Sequence, residues 1–284
     1  MELGALSAAR WSALLSGERA AALPTAFALE ALANGVSYLA GPALVSGAAG
    51  HPGSGVLLAA ALVVGGGLVL AAQRRTMPSL TGRAERRNAG RALLRSAFLR
   101  QVALGLALGV FFGAMQVSVA AYAVGRGTPD AAALLYSASN CTNLLGGWAY
   151  GAWRHGGSPQ RHQATAAACL AVASLPLTFL DAPLAVGATL ALTGLGVPVL
   201  LILTSVLTES SVPRAVLTQA FTWGNSASAA GIAGAAAVAG RVVDAGGAHG
   251  GFGVAAGAVV MMTILALGGL RDSSPDVTEV VNLR

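Results

Sequence analysis

Three groups of polar side chains recur at helical spacing inside sequence that is otherwise apolar. Glu30, Asn34, Ser37, Tyr38 and Gly41 form the first group, and Tyr136, Asn140, Asn143 and Gly147 the second. Gln219, Thr222, Trp223 and Ser226 form the third, with Asn225 beside them. Steps of three and four place each group on one face of a helix. Gln116, Tyr122 and Thr204 add isolated polar positions to other apolar stretches, and Pro198 removes a backbone hydrogen bond within one of them. Uncharged groups of this kind suit a small, weakly charged organic molecule. A highly charged one would call for a buried Arg or Lys, and none falls inside the apolar runs. The competing use of the same stripes is to hold helices together, at about 0.6 kcal/mol per interhelical hydrogen bond.

Glu30 is the single ionisable group well inside an apolar run. A carboxylate at the centre of a membrane helix costs roughly 2.5 to 3.5 kcal/mol, which favours a role in proton or cation coupling. Glu30 also lies about 10 Å from the start of its run, at 1.5 Å per residue, where pairing with a loop arginine is the alternative. Little else in the chain suggests chemistry on a bond. The serine of the GNSAS segment at Gly224 has no base, because all four histidines fall in the loops between apolar runs. His155 and His162 flank one short loop without acids nearby, and Cys141 and Cys169 have neither disulfide nor metal spacing. Phosphate-cradling glycine loops and paired intramembrane aspartates are absent from the sequence, so no enzyme activity, cofactor or metal is expected.

The elements that would position these residues are membrane helices. Hydrophobic residues make up 55% of the 284 positions and charged ones 10%, against roughly a quarter charged in soluble domains, and the mean hydropathy is +0.68. Eight apolar runs are long enough to approach the ~20 residues that a span requires: 23–49, 55–72, 102–124, 131–153, 164–180, 183–207, 216–240 and 251–270. The fold class expected is therefore all-α, a polytopic bundle of about eight transmembrane helices. Glycine spacings such as Gly105, Gly109 and Gly113 suit close helix packing.

The net charge of +6 comes from 17 arginines and no lysine, gathered between the runs. That clustering reads as topology and not as a nucleic-acid surface. The segment 73–101 carries eight arginines against Glu85 alone and is expected to be a polar cytoplasmic loop. Alternation then places fifteen arginines inside and leaves Arg126 and Arg241 outside, with both termini cytoplasmic and the plasma membrane as the location. The expected parts are 1–22 as a cytoplasmic segment without a cleavable signal, 23–72 as two spans, 73–101 as the central loop, 102–270 as six spans, and 271–284 as a cytoplasmic tail. Arg241 and Asp244 are spaced for a local ion pair.

The segments TAFALEALANGVSYLAG at Thr25 and TQAFTWGNSASAAGIAG at Thr218 are loosely alike and stand six runs apart. Two six-helix halves follow, of which the first would be represented by its last two helices. With the long basic loop before a six-helix half, the segment YLAGPALVSG at Tyr38, and GGWAYGAWRHGG at Gly146, the chain resembles the major facilitator superfamily, in particular its drug-efflux branch. The resemblance implies that the eight runs are the fifth to twelfth helices of that fold, with four helices preceding them. It implies gating roles for Gly41, Pro42 and Arg154, and outer positions for the runs at 55–72, 164–180 and 251–270. It implies efflux of a small organic compound by alternating access, with proton antiport as the energy source. On that reading Asn34, Tyr38, Gln116, Tyr136, Asn140, Asn143, Trp223 and Asn225 line the substrate path and Glu30 couples it to protons. The partners are then the lipid bilayer, the small-molecule substrate and protons. The alternative is a membrane fragment that does not transport, or a subunit that binds a partner.

Overall fold

The computed structural model describes residues 3–15, 22–47, 54–72, 90–153 and 156–272. Every regular element among them is helical: α1 (Leu3–Leu14), α2 (Leu23–Gly47), α3 (Ser54–Ala72), α4 (Ser96–Gly125), α5 (Ala131–Ala152), α6 (Pro159–Ser174), α7 (Pro183–Ser211) and α8 (Leu217–Asp272). Short 3-10 turns at Arg91–Leu94, Leu175–Thr178 and Arg214–Val216 lead into or out of them. Three stretches, Ser96–Gly125, Pro183–Ser211 and Arg214–Leu270, are long and apolar enough to cross a membrane.

The 56 residues of α8 would run about 84 Å if straight, at 1.5 Å each. They do not run straight. Gly247 takes φ 70° and ψ −171°, a left-handed setting that glycine reaches without a Cβ clash. There the helix doubles back into a hairpin, with Gly250 and Gly251 returning against Val242 and Val243. The two limbs, 217–246 and 248–272, correspond to the separate apolar runs at 216–240 and 251–270.

Contacts along the helices fix their relative directions. On α4, Gly105, Gly109 and Gly113 face Gly224, Ser228 and Ile232 in rising order, so α4 and the first limb of α8 run parallel. The second limb returns antiparallel, with Gly251 against Ser118 and Gly269 against Arg100. On α5, Gly146 and Gly147 meet Leu195 and Pro198 of α7 in the same sense, while Gly35 and Ala28 of α2 meet Leu144 and Gly151 in the opposite one. These directions form one consistent up-and-down set.

Two apolar clusters organise the chain. The larger joins α4, α6, α7 and both limbs of α8 around Phe111, Leu170, Leu200, Phe252 and Met262. The smaller gathers α1, the start of α2, Leu93, Phe98, the end of α7 and the start of α8. By contrast α3 is exposed along its length, with Val56, Leu57, Leu62 and Leu68 all more than half accessible. α6 and the second limb of α8 each bury one face and expose the other.

One expected boundary needs correction. The first span begins at Leu23 as expected, and the segment before it carries a helix, with Ala8 and Leu15 packed on the smaller cluster and Ser12 buried between them in sequence. The loop expected over 73–101 ends earlier: Ala92, Leu93 and Phe98 are buried among Arg91, Arg95 and Arg100, and α4 begins at Ser96. Residues 73–89 and 273–284 lie outside the described residues.

A Cβ on Gly109 would overlap the backbone of Ser228, whereas one on Gly66 of α3 would meet open space. Gly109→Leu is therefore expected to destabilise the chain in detergent by about 1 to 3 kcal/mol or more, and Gly66→Leu to stay within about 0.5 kcal/mol, as read by thermal unfolding. Equal effects would contradict the packing described.

Candidate functional site

The smaller cluster closes one end of the bundle. Phe27 of α2 and Phe221 of α8 stand 6.0 Å apart, ring to ring, tilted at 57°. Leu23, Ala220, Leu217 and Ile202 pack around them. α2 is held to α5 by close approach at Gly151, where Thr25 Oγ1 donates to the Gly151 carbonyl at 3.4 Å. Beyond the aromatic pair the burial of α2 thins, and Leu29, Ala33, Asn34, Val36 and Ser37 are exposed.

The residues expected to carry function sit beyond this closure. Glu30 lies one turn past Phe27, half-buried, with Ser7 of α1 nearby. Asn34, Gln116 and Asn225 are exposed on α2, α4 and α8, and Trp223 is 42% accessible. Asn140 and Asn143 are half-buried on α5. Tyr136 donates its hydroxyl to the Met115 carbonyl at 3.2 Å, which ties α5 to α4 beside Gln116. Thr222 bonds back to its own helix at Thr218. Among the described residues no hydrogen bond joins one stripe to another. The backbone of α2 continues through Tyr38, Gly41 and Pro42, but their side chains lie outside the described residues, as does Arg154 altogether.

No family model, no curated protein and no solved structure matches this chain.

The chemistry open to the arrangement is hydrogen bonding and proton exchange. Among the described residues no three His, Cys, Asp or Glu side chains converge as metal ligands would. Cys141 and Cys169 are free thiols on separate helices.

Two polar clusters escaped the sequence reading. Gln101 and Gln163, taken as loop boundaries, are buried inside α4 and α6 and exchange amide hydrogen bonds at 3.0 and 3.4 Å. Gln163 also donates to Thr204 of α7 at 3.2 Å. The signal available was position: each glutamine directly borders an apolar run, where a buried amide can still find a partner from the next helix.

The second cluster lies at the opposite end. Tyr122 and Arg126 of α4 both donate to the Asp181 carbonyl, and His249 Nε2 meets Asp181 Oδ1 at 3.1 Å. Arg126 also stacks over the Tyr122 ring at 5.0 Å. His249 and His162 therefore lie within helices and not in loops, because both are drawn to helix ends that face polar partners or open space. Arg241 and Asp244 are both exposed, and the acid that gathers cations at this end, among the described residues, is Asp181.

Gln101→Leu or Gln163→Leu alone would strand a buried amide and is expected to cost about 1 to 3 kcal/mol. The double Leu variant should cost clearly less than the sum. Additive losses in a double-mutant cycle of thermal stability would show that the pair is not coupled.

Proposed function

We propose that the chain is part of a polytopic carrier of the major facilitator type, which exports a small organic compound by alternating access and exchanges it for protons. The observation that carries this reading is the arrangement of an apolar closure beneath exposed polar stripes. At 1.5 Å per residue, Glu30 lies about 5 Å past Phe27, Asn225 about 6 Å past Phe221, and Asn34 about 10 Å past Phe27. Carriers bind near mid-membrane on helices that rock against one another, and here the stripes start where the closure stops. The alternating directions of α2, α4, α5, α7 and the α8 hairpin support several crossings, and the distribution of arginines supports cytoplasmic placement of the closed end.

Glu30 is the proton-coupling group in this account. Asn34, Tyr38, Gln116, Tyr136, Asn140, Asn143, Trp223 and Asn225 contact the substrate, and Gly41, Pro42 and Arg154 belong to the gates. The polar and nearly uncharged lining favours a substrate of low charge. A second reading, a membrane subunit that binds a partner, draws on the same exposure: amides on apolar helices call for covering helices, whether these belong to the same chain or to another.

Upstream in-frame coding sequence with four apolar stretches of about 20 residues is the expected complement of this chain; stop codons there, with no companion gene, would remove the transport reading. In proteoliposomes containing the complete carrier, Glu30→Gln is expected to abolish efflux driven by a proton gradient and to spare substrate exchange at equal pH. Undiminished proton-driven efflux would exclude Glu30 as the coupling group.

A further inference from the structure

A cavity of about 810 Å³ lies away from the polar stripes, as an open furrow between α6 and α7 with Tyr150 of α5 at one end. Small residues make room in it, Gly196 facing Leu170 with Ala166 and Ala173 along the α6 side, while Leu192, Leu195 and Val199 of α7 complete the apolar walls. Its two threonines have already committed their hydroxyl protons and can only accept. Thr165 donates to the Arg161 carbonyl at 2.9 Å and Thr189 to the Ala185 carbonyl at 2.8 Å, both within their own helices. Between its ends the furrow presents mainly carbon, with the Cys169 sulfur.

The two ends differ. At one stand His162 and Tyr150, next to the N-terminus of α6, which Ser158 caps; Arg161, outside the lining but exposed, directly precedes His162 in the helix. The positive end of a helix dipole and a permanent guanidinium charge together favour an anion. At the other end lie Pro176 and Thr189, with no charge in the lining. Along α6 the distance from His162 to Pro176 is about 21 Å, enough for a chain that crosses half of a ~30 Å hydrocarbon core, with its headgroup at the mouth.

We infer that the α6–α7 furrow holds one phospholipid, its acyl chain between Ala166, Ala173 and Gly196 and its anionic headgroup at Arg161, His162 and the α6 N-terminus. This site rests on the membrane reading above but not on the transport reading. It assigns to the α6–α7 face the recognition of lipid charge, apart from the substrate stripes. The mouth falls on the side assigned to the cytoplasm, the leaflet that carries anionic lipid.

The test uses the full chain in phosphatidylcholine vesicles doped with either phosphatidylglycerol or phosphatidylcholine bearing a diazirine acyl chain. After illumination, adducts are mapped by peptide mass spectrometry. The exposed α3 helix reports contact with bulk lipid. The furrow peptides are expected to label relative to α3 about fivefold more with the glycerol lipid than with the choline lipid, the preference that one basic residue gives near an anionic surface. Arg161→Gln with His162→Gln should remove that excess. Gly196→Met should lower furrow labelling by either lipid, since a Cβ there meets Leu170 only at ordinary contact, 3.5 Å, and the longer side chain fills the furrow; circular dichroism confirms that its helices persist. Equal labelling by both lipids, an excess shared with α3, or furrow cross-links to a second copy that grow with protein concentration would each overturn the site. Release of the chain by carbonate washing would overturn the membrane reading and the lipid site with it, while lipid labelling without any transport would leave the site standing.

Discussion

The structure depends on the near-contact of α4 with the first limb of α8. Gly105, Gly109 and Gly113 stand one turn apart and press backbone to backbone on Gly224, Ser228 and Ile232, and Gly231 returns the contact against Leu106 and Val110. Both helices are long and apolar enough to cross a membrane, and between helices in lipid it is packing and close approach, not burial of apolar surface, that drive association. The absence of side chains on four glycines is what permits that approach. The α8 hairpin then brings its second limb onto α4 as well, where Ser118 is fully buried against Gly251. Three helical rods are fixed as one unit, and α6 and α7 build the larger core on it. α2 joins from the side through its seam with α5, where Gly35 and Gly151 accommodate the side chains of Leu144 and Ala28.

The two ends of this unit are held by different forces. At the closed end, aromatic and aliphatic side chains from α1, α2, α4, α7 and α8 meet in the smaller cluster. Nearby, the Gln101 and Gln163 amides satisfy each other and Thr204. At the opposite end, Asp181 draws together Tyr122, Arg126 and His249 from two helices. Asp181 is largely exposed, so these ion pairs are screened and weak, whereas the buried amide pair cannot be broken without leaving polar atoms dry. The end closed by the smaller cluster is thus the more costly of the two to pull apart.

Much of this was legible in the sequence because apolar runs and glycine spacing respond to one dominant constraint, satisfaction of backbone hydrogen bonds inside each helix. The runs at 102–124, 131–153 and 183–207 correspond to α4, α5 and α7, and the pair at 216–240 and 251–270 to the limbs of α8. What escaped depends on partners. α1 is amphipathic only relative to a cluster that does not exist until α2, α4 and α8 assemble. Gln101 and Gln163 are 62 residues apart, and each looks like a loop edge until the other arrives. Phe27 and Phe221 sit in runs full of equivalent apolar residues, and their pairing is a property of helix directions, not of local pattern. Of the stripes, the periodicity was readable, yet the backbone pairing of Tyr136 with Met115 was not.

Glu30 stands where these parts meet. Its helix is pinned to α5 below it and to Phe221 across from it, so it lies at the boundary between the apolar closure and the exposed face of α2. On the carrier reading proposed above, a group at such a boundary would change surroundings whenever the closure opens, because parting α2 from α8 would also move α1, which packs on both. Any free-energy difference for proton binding between the closed and open arrangements must then reappear, with the same magnitude, as a proton dependence of opening. That reciprocity needs no long pathway through the fold. On the carrier reading it requires only that one ionisable group share its helix turn with the closing element, and Glu30 stands one turn from Phe27.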